Sequence, residues 1–212
     1  QWGWADTIPV PGDYNGDGVT EMAVFYPAGG MWYILETSGG MYLGHPVQWG
    51  FSGAVPVPAD YDGDGKTDIA VFWPANGRWY ILQSSTWSMM AGMAINWGWA
   101  ETHPVPADFN GDGKADLAVY YPAAGKWYVL QTSNWQMYMN GAISHGWSAA
   151  IPVPGDFDGD HRADDQSDDA GNDPSGLHQD GQSQGLDGKG RHRQTCAAQC
   201  ANSGRYRHRL AN

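Results

Sequence analysis

The sequence predicts an all-β protein made of β-propeller blades, each with four antiparallel strands. Two observations lead to this prediction. Similar units repeat along the chain, and their acidic loops begin at Asp13, Asp60, Asp108 and Asp156, with spacings of 47, 48 and 48 residues. Each unit also contains short β-branched and aromatic runs separated by Gly, Pro and Asn, and no run shows a helical period. A repeat of this length is typical of a propeller blade.

Three complete units and the start of a fourth occupy residues 1–164, with boundaries at 1–47, 48–95, 96–144 and 145–164. Each unit passes from a Trp-Gly or Gly-Trp pair through a Pro-Val-Pro segment and an acidic loop to two apolar runs. In the run WYIL, residues 79–82, both alternating faces are apolar. A strand that is buried on both faces needs a layer on each side. Small sheets stacked face to face around an axis provide those layers.

The number of units predicts an incomplete ring. Propellers usually contain about 4 to 8 blades, so three blades cannot close a ring alone. We therefore expect this chain either to self-associate, which would complete the propeller, or to misfold. A β-trefoil made of three units is the alternative fold, although the acidic loops and the start of a fourth unit argue against it.

Residues 165–212 differ in composition from the repeats. All 12 tryptophans precede residue 148, and residues 165–190 are dominated by Asp, Gln and Gly. Such a composition predicts disorder. Both a natural tail and a reading-frame error explain the change. Because the chain starts with Gln1, we interpret it as a mature product or a fragment.

The acidity of the chain belongs to the repeats. The formal net charge is −12, and residues 1–164 carry 17 acidic against 5 Lys and Arg residues. Such a surface would repel nucleic acids and anionic membranes. The sequence has no apolar run of 18 residues, so we predict no membrane span.

The acidic loops predict calcium sites. They read DYNGDGVTE, DYDGDGKTD, DFNGDGKAD and DFDGDHRAD, and they contain 14 of those 17 acidic residues. Positions 1, 3, 5 and 9 always offer a side-chain oxygen, and the backbone carbonyl at position 7 is the natural next ligand. Ca²⁺ takes 6 to 8 oxygen ligands in flexible geometry, and the loops contain no Cys ligand that would favour zinc. The predicted ligands are Asp13, Asn15, Asp17, Val19, Glu21; Asp60, Asp62, Asp64, Lys66, Asp68; Asp108, Asn110, Asp112, Lys114, Asp116; Asp156, Asp158, Asp160, Arg162 and Asp164.

Two other interpretations of the loops are weaker. An EF-hand requires a bidentate Glu at position 12 and flanking helices, but position 12 is Val24, Val71 or Val119 inside a predicted strand. A metal-free Asx-rich turn would explain one loop, but not the same ligand pattern in four. We expect the calcium ions to brace the blades. A catalytic or ligand-bridging ion would require one loop to differ in kind from the others.

The units resemble the FG-GAP or VCBS-type repeats of integrin-α-like propellers. The resemblance covers residues 2–164 and is carried by Trp-Gly, Pro-Val-Pro, the DxDGDGxxD pattern and the following [IL]-A-V-[FY]. It implies one Ca²⁺ between the first two strands of each blade, in an extracellular or surface protein that adheres to other proteins or binds glycans. The fourth loop departs from the pattern, because His161 stands where the other loops have Gly.

Two tryptophans are candidates for ligand contact. Most aromatic residues recur in every unit, which indicates blade packing. Trp87 and Trp135 match each other, but the first unit has only Gly39 and Gly40 nearby. We predict that these two tryptophans line glycan-binding grooves between blades.

The sequence contains no catalytic motif that we recognise, and we predict a binding module and not an enzyme. Two alternatives are a purely structural segment of a larger surface protein and an accessory domain of a carbohydrate-active enzyme.

Overall fold

The computed structural model describes residues 2–155. The fourth acidic loop, with the predicted ligands Asp156, Asp158, Asp160, Arg162 and Asp164, lies outside the described residues. The predicted tail, residues 165–212, lies outside them as well.

The described residues form three sheets of four antiparallel strands, which confirms the predicted all-β class and the four strands per unit. The first sheet contains β1 (Ile8–Pro9), β2 (Met22–Tyr26), β3 (Met31–Leu35) and β4 (Val47–Gln48). The second contains β5 (Val55–Pro56), β6 (Ile69–Trp73), β7 (Arg78–Leu82) and β8 (Ile95–Asn96). The third contains β9 (His103–Pro104), β10 (Leu117–Tyr121), β11 (Lys126–Leu130) and β12 (Ile143–Ser144).

The strands of each sheet follow one another in chain order, as in a propeller blade. This arrangement of separate four-stranded sheets argues against the β-trefoil alternative. The predicted unit boundaries 47/48 and 95/96 fall between the two residues of β4 and of β8. Helical structure in the described range consists of single 3₁₀ turns, none long and apolar enough to cross a membrane. These turns are Tyr42–Gly44, Met90–Gly92, Pro122–Ala124 and Tyr138–Asn140.

The sheets pack face to face through two apolar clusters. The first cluster joins Phe25 and Trp32 of the first sheet to Ile69 and Val71 of the second. The second cluster joins the opposite face of the second sheet to the third sheet in the same way. The central sheet is therefore buried on both faces, as the apolar alternation in its strands predicts. The contacting residues of the second cluster include Phe72, Trp79, Leu117 and Val119.

The repeated Trp-Gly pair links consecutive sheets. The indole Nε1–H of Trp49 donates to the carbonyl of Tyr80 in the next sheet at 3.0 Å. Gly50, at φ +128°, lies where a β-carbon would be 3.2 Å from Phe25 Cε2 and 3.3 Å from Val71 Cγ1. Only glycine fits between the two sheets with this backbone. The pair Trp97-Gly98 makes the equivalent contacts between the second and third sheets.

We expect Trp79→Ala to lower the free energy of unfolding by about 3–5 kcal/mol, because it empties a large core site. Trp79 is fully buried, and its Nε1–H donates to the carbonyl of Trp97 at 2.7 Å. Trp87→Ala in the same unit is the control, and we expect a change of about 0.5 kcal/mol because Trp87 is exposed. Urea titration of both variants measures the difference. Equal losses for both would contradict the assignment of Trp79 to the core.

Candidate metal-binding loops

The first aspartate of each described loop organises the loop backbone. In the second loop, Asp60 Oδ1 accepts the N–H of Gly63 at 2.6 Å, and Oδ2 accepts the N–H of Gly65 at 2.8 Å. Gly63 and Gly65 have φ of +77° and +81°, which favours glycine at both positions. Asp13 and Asp108 make the equivalent bonds. The three loops therefore share one geometry.

Carboxylates converge in the first and second loops. One oxygen from each of three side chains comes within 4.8 Å of the others. In the first loop the three are Asp13, Asp17 and Glu21. In the second they are Asp60, Asp62 and Asp64. Within the described residues, the three acidic side chains of the third loop do not converge as closely.

The position 9 carboxylates are buried, and in the second and third units they join two segments of the unit. Asp68 Oδ2 accepts the N–H of Tyr61 at 2.9 Å, and Oδ1 accepts the N–H of Ser84 at 2.6 Å. Asp116 makes the same pair of contacts with Phe109 and Thr132. These contacts hold Asp68 outside the convergent trio of its loop.

Glu21 differs from the other two position 9 residues, because its side chain is one methylene longer. It accepts the N–H of Tyr14 at 2.8 Å and still reaches the centre of the first loop. Position 9 therefore joins the convergent carboxylates in the first loop, whereas in the second it ties the loop to the β7–β8 connection.

Burial weakens the acidity of the two shorter position 9 carboxylates. Loss of hydration raises the pKa of Asp68 from 3.8 to about 6, and the N–H groups of Ser84 and Tyr61 oppose this shift. Loss of hydration likewise raises the pKa of Asp116 to about 6. The buried anions are therefore held at an electrostatic cost, which a bound cation nearby would offset.

The donor set of the loops fits a hard cation. Every side chain at positions 1, 3, 5 and 9 offers oxygen. At position 7, the carbonyls of Val19, Lys66 and Lys114 accept no hydrogen bond from another residue in the range 2–155. Carboxylate, amide and carbonyl oxygens are the ligands that Ca²⁺ prefers. The residues present therefore fit the predicted ion.

A set of polar residues that the sequence analysis did not identify supports the second loop from β7–β8. The hydroxyl of Ser84 donates to Asp64 Oδ2 at 2.9 Å, and Gln83 Nε2 donates to Asp62 Oδ2 at 3.3 Å. The sequence does contain a pattern that could have identified these residues. Every complete unit has a Ser or Thr at the position of Ser84, within the segments ETS, QSS and QTS.

Trp87 and Trp135 occupy equivalent exposed turns. Their side chains are 44% and 43% exposed. Both have left-handed backbones, at φ +52° and +58°, where a non-glycine residue is uncommon. The Trp87 ring stacks on Tyr42 in the 3₁₀ turn of the preceding unit, with ring centroids 6.2 Å apart. Trp87 thus contacts the preceding unit, and its contact with a glycan stays a prediction.

The stacked sheets, with an acidic loop between the first and second strand of each, define a repeat protein with propeller-like blades. The chain belongs to the FG-GAP-like repeat family, whose profile matches residues 13–71, 60–119 and 108–164. Each match begins at the first aspartate of one loop and extends through the acidic loop of the next unit. Comparison with curated proteins gave no match, and comparison with solved structures gave none.

We expect Asp68→Asn to destabilise the protein by about 1–3 kcal/mol in the presence of a chelator. The N–H groups of Tyr61 and Ser84 each need an acceptor, and an amide offers one oxygen to replace two. Asp64→Asn is the control, because this exposed side chain keeps an oxygen for the N–H of Lys66. Thermal unfolding of both variants without metal measures the effect. An unchanged Asp68→Asn protein would show that position 9 does not hold the two segments together.

Proposed function

We propose that this chain is a calcium-binding repeat module that recognises glycans outside the cytoplasm. The observation that carries the proposal is the convergence of three carboxylates in each of two loops with one shared geometry. Like charges at such distances repel one another by several kcal/mol at an effective dielectric constant of about 20. A divalent cation among them would remove this repulsion.

The ion would act as a brace. When bound, Ca²⁺ supplies positive charge and fixes the positions of its oxygen ligands. The aspartate at position 1 already orders the loop backbone, and the position 9 carboxylate ties the second and third loops to the turn after the third strand. We assign the loop carboxylates to metal binding and propose no catalytic step for them.

We expect Asp64→Asn to weaken calcium binding to the second loop by about tenfold or more, because it removes the position 5 carboxylate, which is Asp in all four loops. Asp62→Asn is the matched control. It should retain the site, since the first and third loops already carry Asn15 and Asn110 at that position. Calorimetric titration of chelator-stripped protein measures the number of sites and their affinities.

In wild-type protein, Ca²⁺ at about 100 times its dissociation constant should raise the free energy of unfolding by about 2.7 kcal/mol. A folded wild-type protein that neither binds Ca²⁺ nor gains stability from it would refute the calcium proposal. If Asp64→Asn binds as tightly as Asp62→Asn, the assignment of the second loop is wrong.

The proposed partner is a glycan, which the exposed tryptophans would contact. An exposed indole offers a flat apolar face, which suits the apolar face of a sugar ring. Trp87 and Trp135 present such faces from backbone conformations that cost about 1–3 kcal/mol for residues other than glycine. Hydrogen bonds from Gln83 and Ser84 to Asp62 and Asp64 connect the Trp87 turn to the second loop. An ordered loop would therefore hold this tryptophan in place.

We expect the double variant Trp87→Ala, Trp135→Ala to lose binding to any glycan that wild-type protein retains on a glycan array. Trp4→Ala is the control for loss of a surface indole, because Trp4 is also exposed but packs on Tyr26 and Tyr33 of its own sheet. Unchanged binding by the double variant would exclude these tryptophans as the contact surface. A wild-type protein that binds no glycan would favour a structural segment of a surface protein.

A further inference from the structure

Within residues 2–155, the opening segment of the fourth unit, residues 146–155, forms no β-strand and pairs with none. Val153 is 67% exposed. The equivalent valines of the complete units are 4% to 5% exposed: Val10, Val57 and Val105. In the first unit the N–H of that valine donates to the carbonyl of Ala23 at 2.9 Å, and the other two units repeat this bond. Val153 is therefore exposed at the position where the equivalent valines are buried and bonded to the second strand of their sheet.

The residues that follow in sequence differ in composition from the second strands of the complete units. The second strand of the central sheet reads IAVFW, and the equivalent residues 165–169 read DQSDD. Burying three carboxylates against an apolar sheet would carry a large desolvation cost. In sequence, residues 165–169 therefore do not match the apolar second strand of the other units.

The first sheet presents an apolar second strand with one uncovered face. Met22 of β2 is 62% exposed, whereas the equivalent residues Ile69 and Leu117 are 3% and 0% exposed because a preceding sheet covers them. At the other end, Trp127 of the third sheet is partly exposed, whereas its equivalents Trp32 and Trp79 are fully buried. The two ends of the array therefore carry the two halves of the interface that occurs twice inside the chain.

Gly3 and Gly146, at the two ends of the array, also carry separate halves of the interface between sheets. Gly50 and Gly98 each lie between two sheets and contact side chains of both. A β-carbon added at Gly3 would be 3.3 Å from Val24 of the first sheet, whereas one added at Gly146 would be 3.1 Å from Tyr120 Cε2 of the third. Among the described residues, Gly50 and Gly98 therefore each contact two sheets, whereas Gly3 contacts only the first sheet and Gly146 only the third.

The two end segments are also matched in sequence. Residues 8–13 and residues 151–156 both read IPVPGD, whereas the second and third units read VPVPAD and HPVPAD. A Gly-Trp pair precedes both segments at the same distance, as Gly3-Trp4 and Gly146-Trp147. Residues 146–155 therefore carry the side chains that the first sheet already accepts from residues 3–12.

We propose that two copies of this chain associate head to tail by strand exchange. Residues 146–155 of one copy replace residues 3–12 on the first sheet of a second copy. The exchanged strands make nearly the same contacts, so the replacement itself costs little, as in domain swapping. The gain is the burial of apolar surface around Trp127 of one copy and Met22 of the other. The hydrogen bond from the Tyr120 hydroxyl to the Trp147 carbonyl, 2.8 Å, anchors the segment to its own third sheet.

Sedimentation velocity over a range of concentrations tests the proposal on the full 212-residue chain. We expect wild-type protein to form species larger than one chain as concentration rises. Val153→Asp should block the donating end, and Met22→Asp should block the accepting end, so each variant alone should remain monomeric. An equimolar mixture should form a dimer, because it combines one intact donor with one intact acceptor. Met93→Asp is the control, since it adds the same charge at 67% exposure within the second unit and should assemble as wild type.

A monomeric wild-type protein at every concentration would overturn the proposal. Assembly of either end variant to the wild-type extent would also overturn it, as would a mixture that stays monomeric while both variants keep the wild-type near-ultraviolet circular dichroism. Each end is tested by its own substitution, so a folding defect in one variant leaves the other able to refute the proposed interface.

Discussion

The burial of both faces of each small sheet is the constraint on which the structure depends. A four-stranded sheet with strands of two to five residues encloses little apolar volume by itself. The core clusters therefore lie between sheets, with Phe25 facing Val71 and Phe72 facing Val119 across the Trp-Gly pairs. As in other repeat proteins, each unit is stabilised chiefly by its neighbours. The Trp-Gly pairs follow from this constraint, because they let neighbouring sheets approach closely.

The same stacking brings the acidic loops into contact with one another. The N–H of Thr67 in the second loop donates to the carbonyl of Asp13 in the first at 2.6 Å, and Ala115 donates to Asp60 in the same way at 2.7 Å. The side chain of Lys66 lies over Gly16 of the preceding loop. Sheet packing thus places the acidic loops next to one another, with the side chains of Lys66 and Lys114 at the contacts between them. A cation in each loop would relieve the repulsion among the carboxylates of that loop.

The turn after the third strand connects the loops to the exposed aromatic surface. In the second unit it supplies an N–H to buried Asp68, a hydroxyl to Asp64 and the exposed ring of Trp87 within five residues. The first unit has a shorter turn with Gly39 and Gly40 in this place, and it presents no indole there. The second and third units therefore share one way of bracing the loop, and they differ from the first in the surface they offer to a partner.

The sequence by itself determined the repeat length, the number of strands per unit and the oxygen-rich loops. These features depend on local chemistry that recurs in register: β-branched runs, turn glycines and aspartates at alternate positions. Only the tertiary structure decided that Trp49 and Gly50 join two sheets, that Asp68 binds Ser84 sixteen residues away, and that Glu21 reaches the loop centre where Asp68 does not. It also revealed the uncovered faces at the two ends of the array. These contacts join distant residues, and their geometry depends on how one sheet packs against the next.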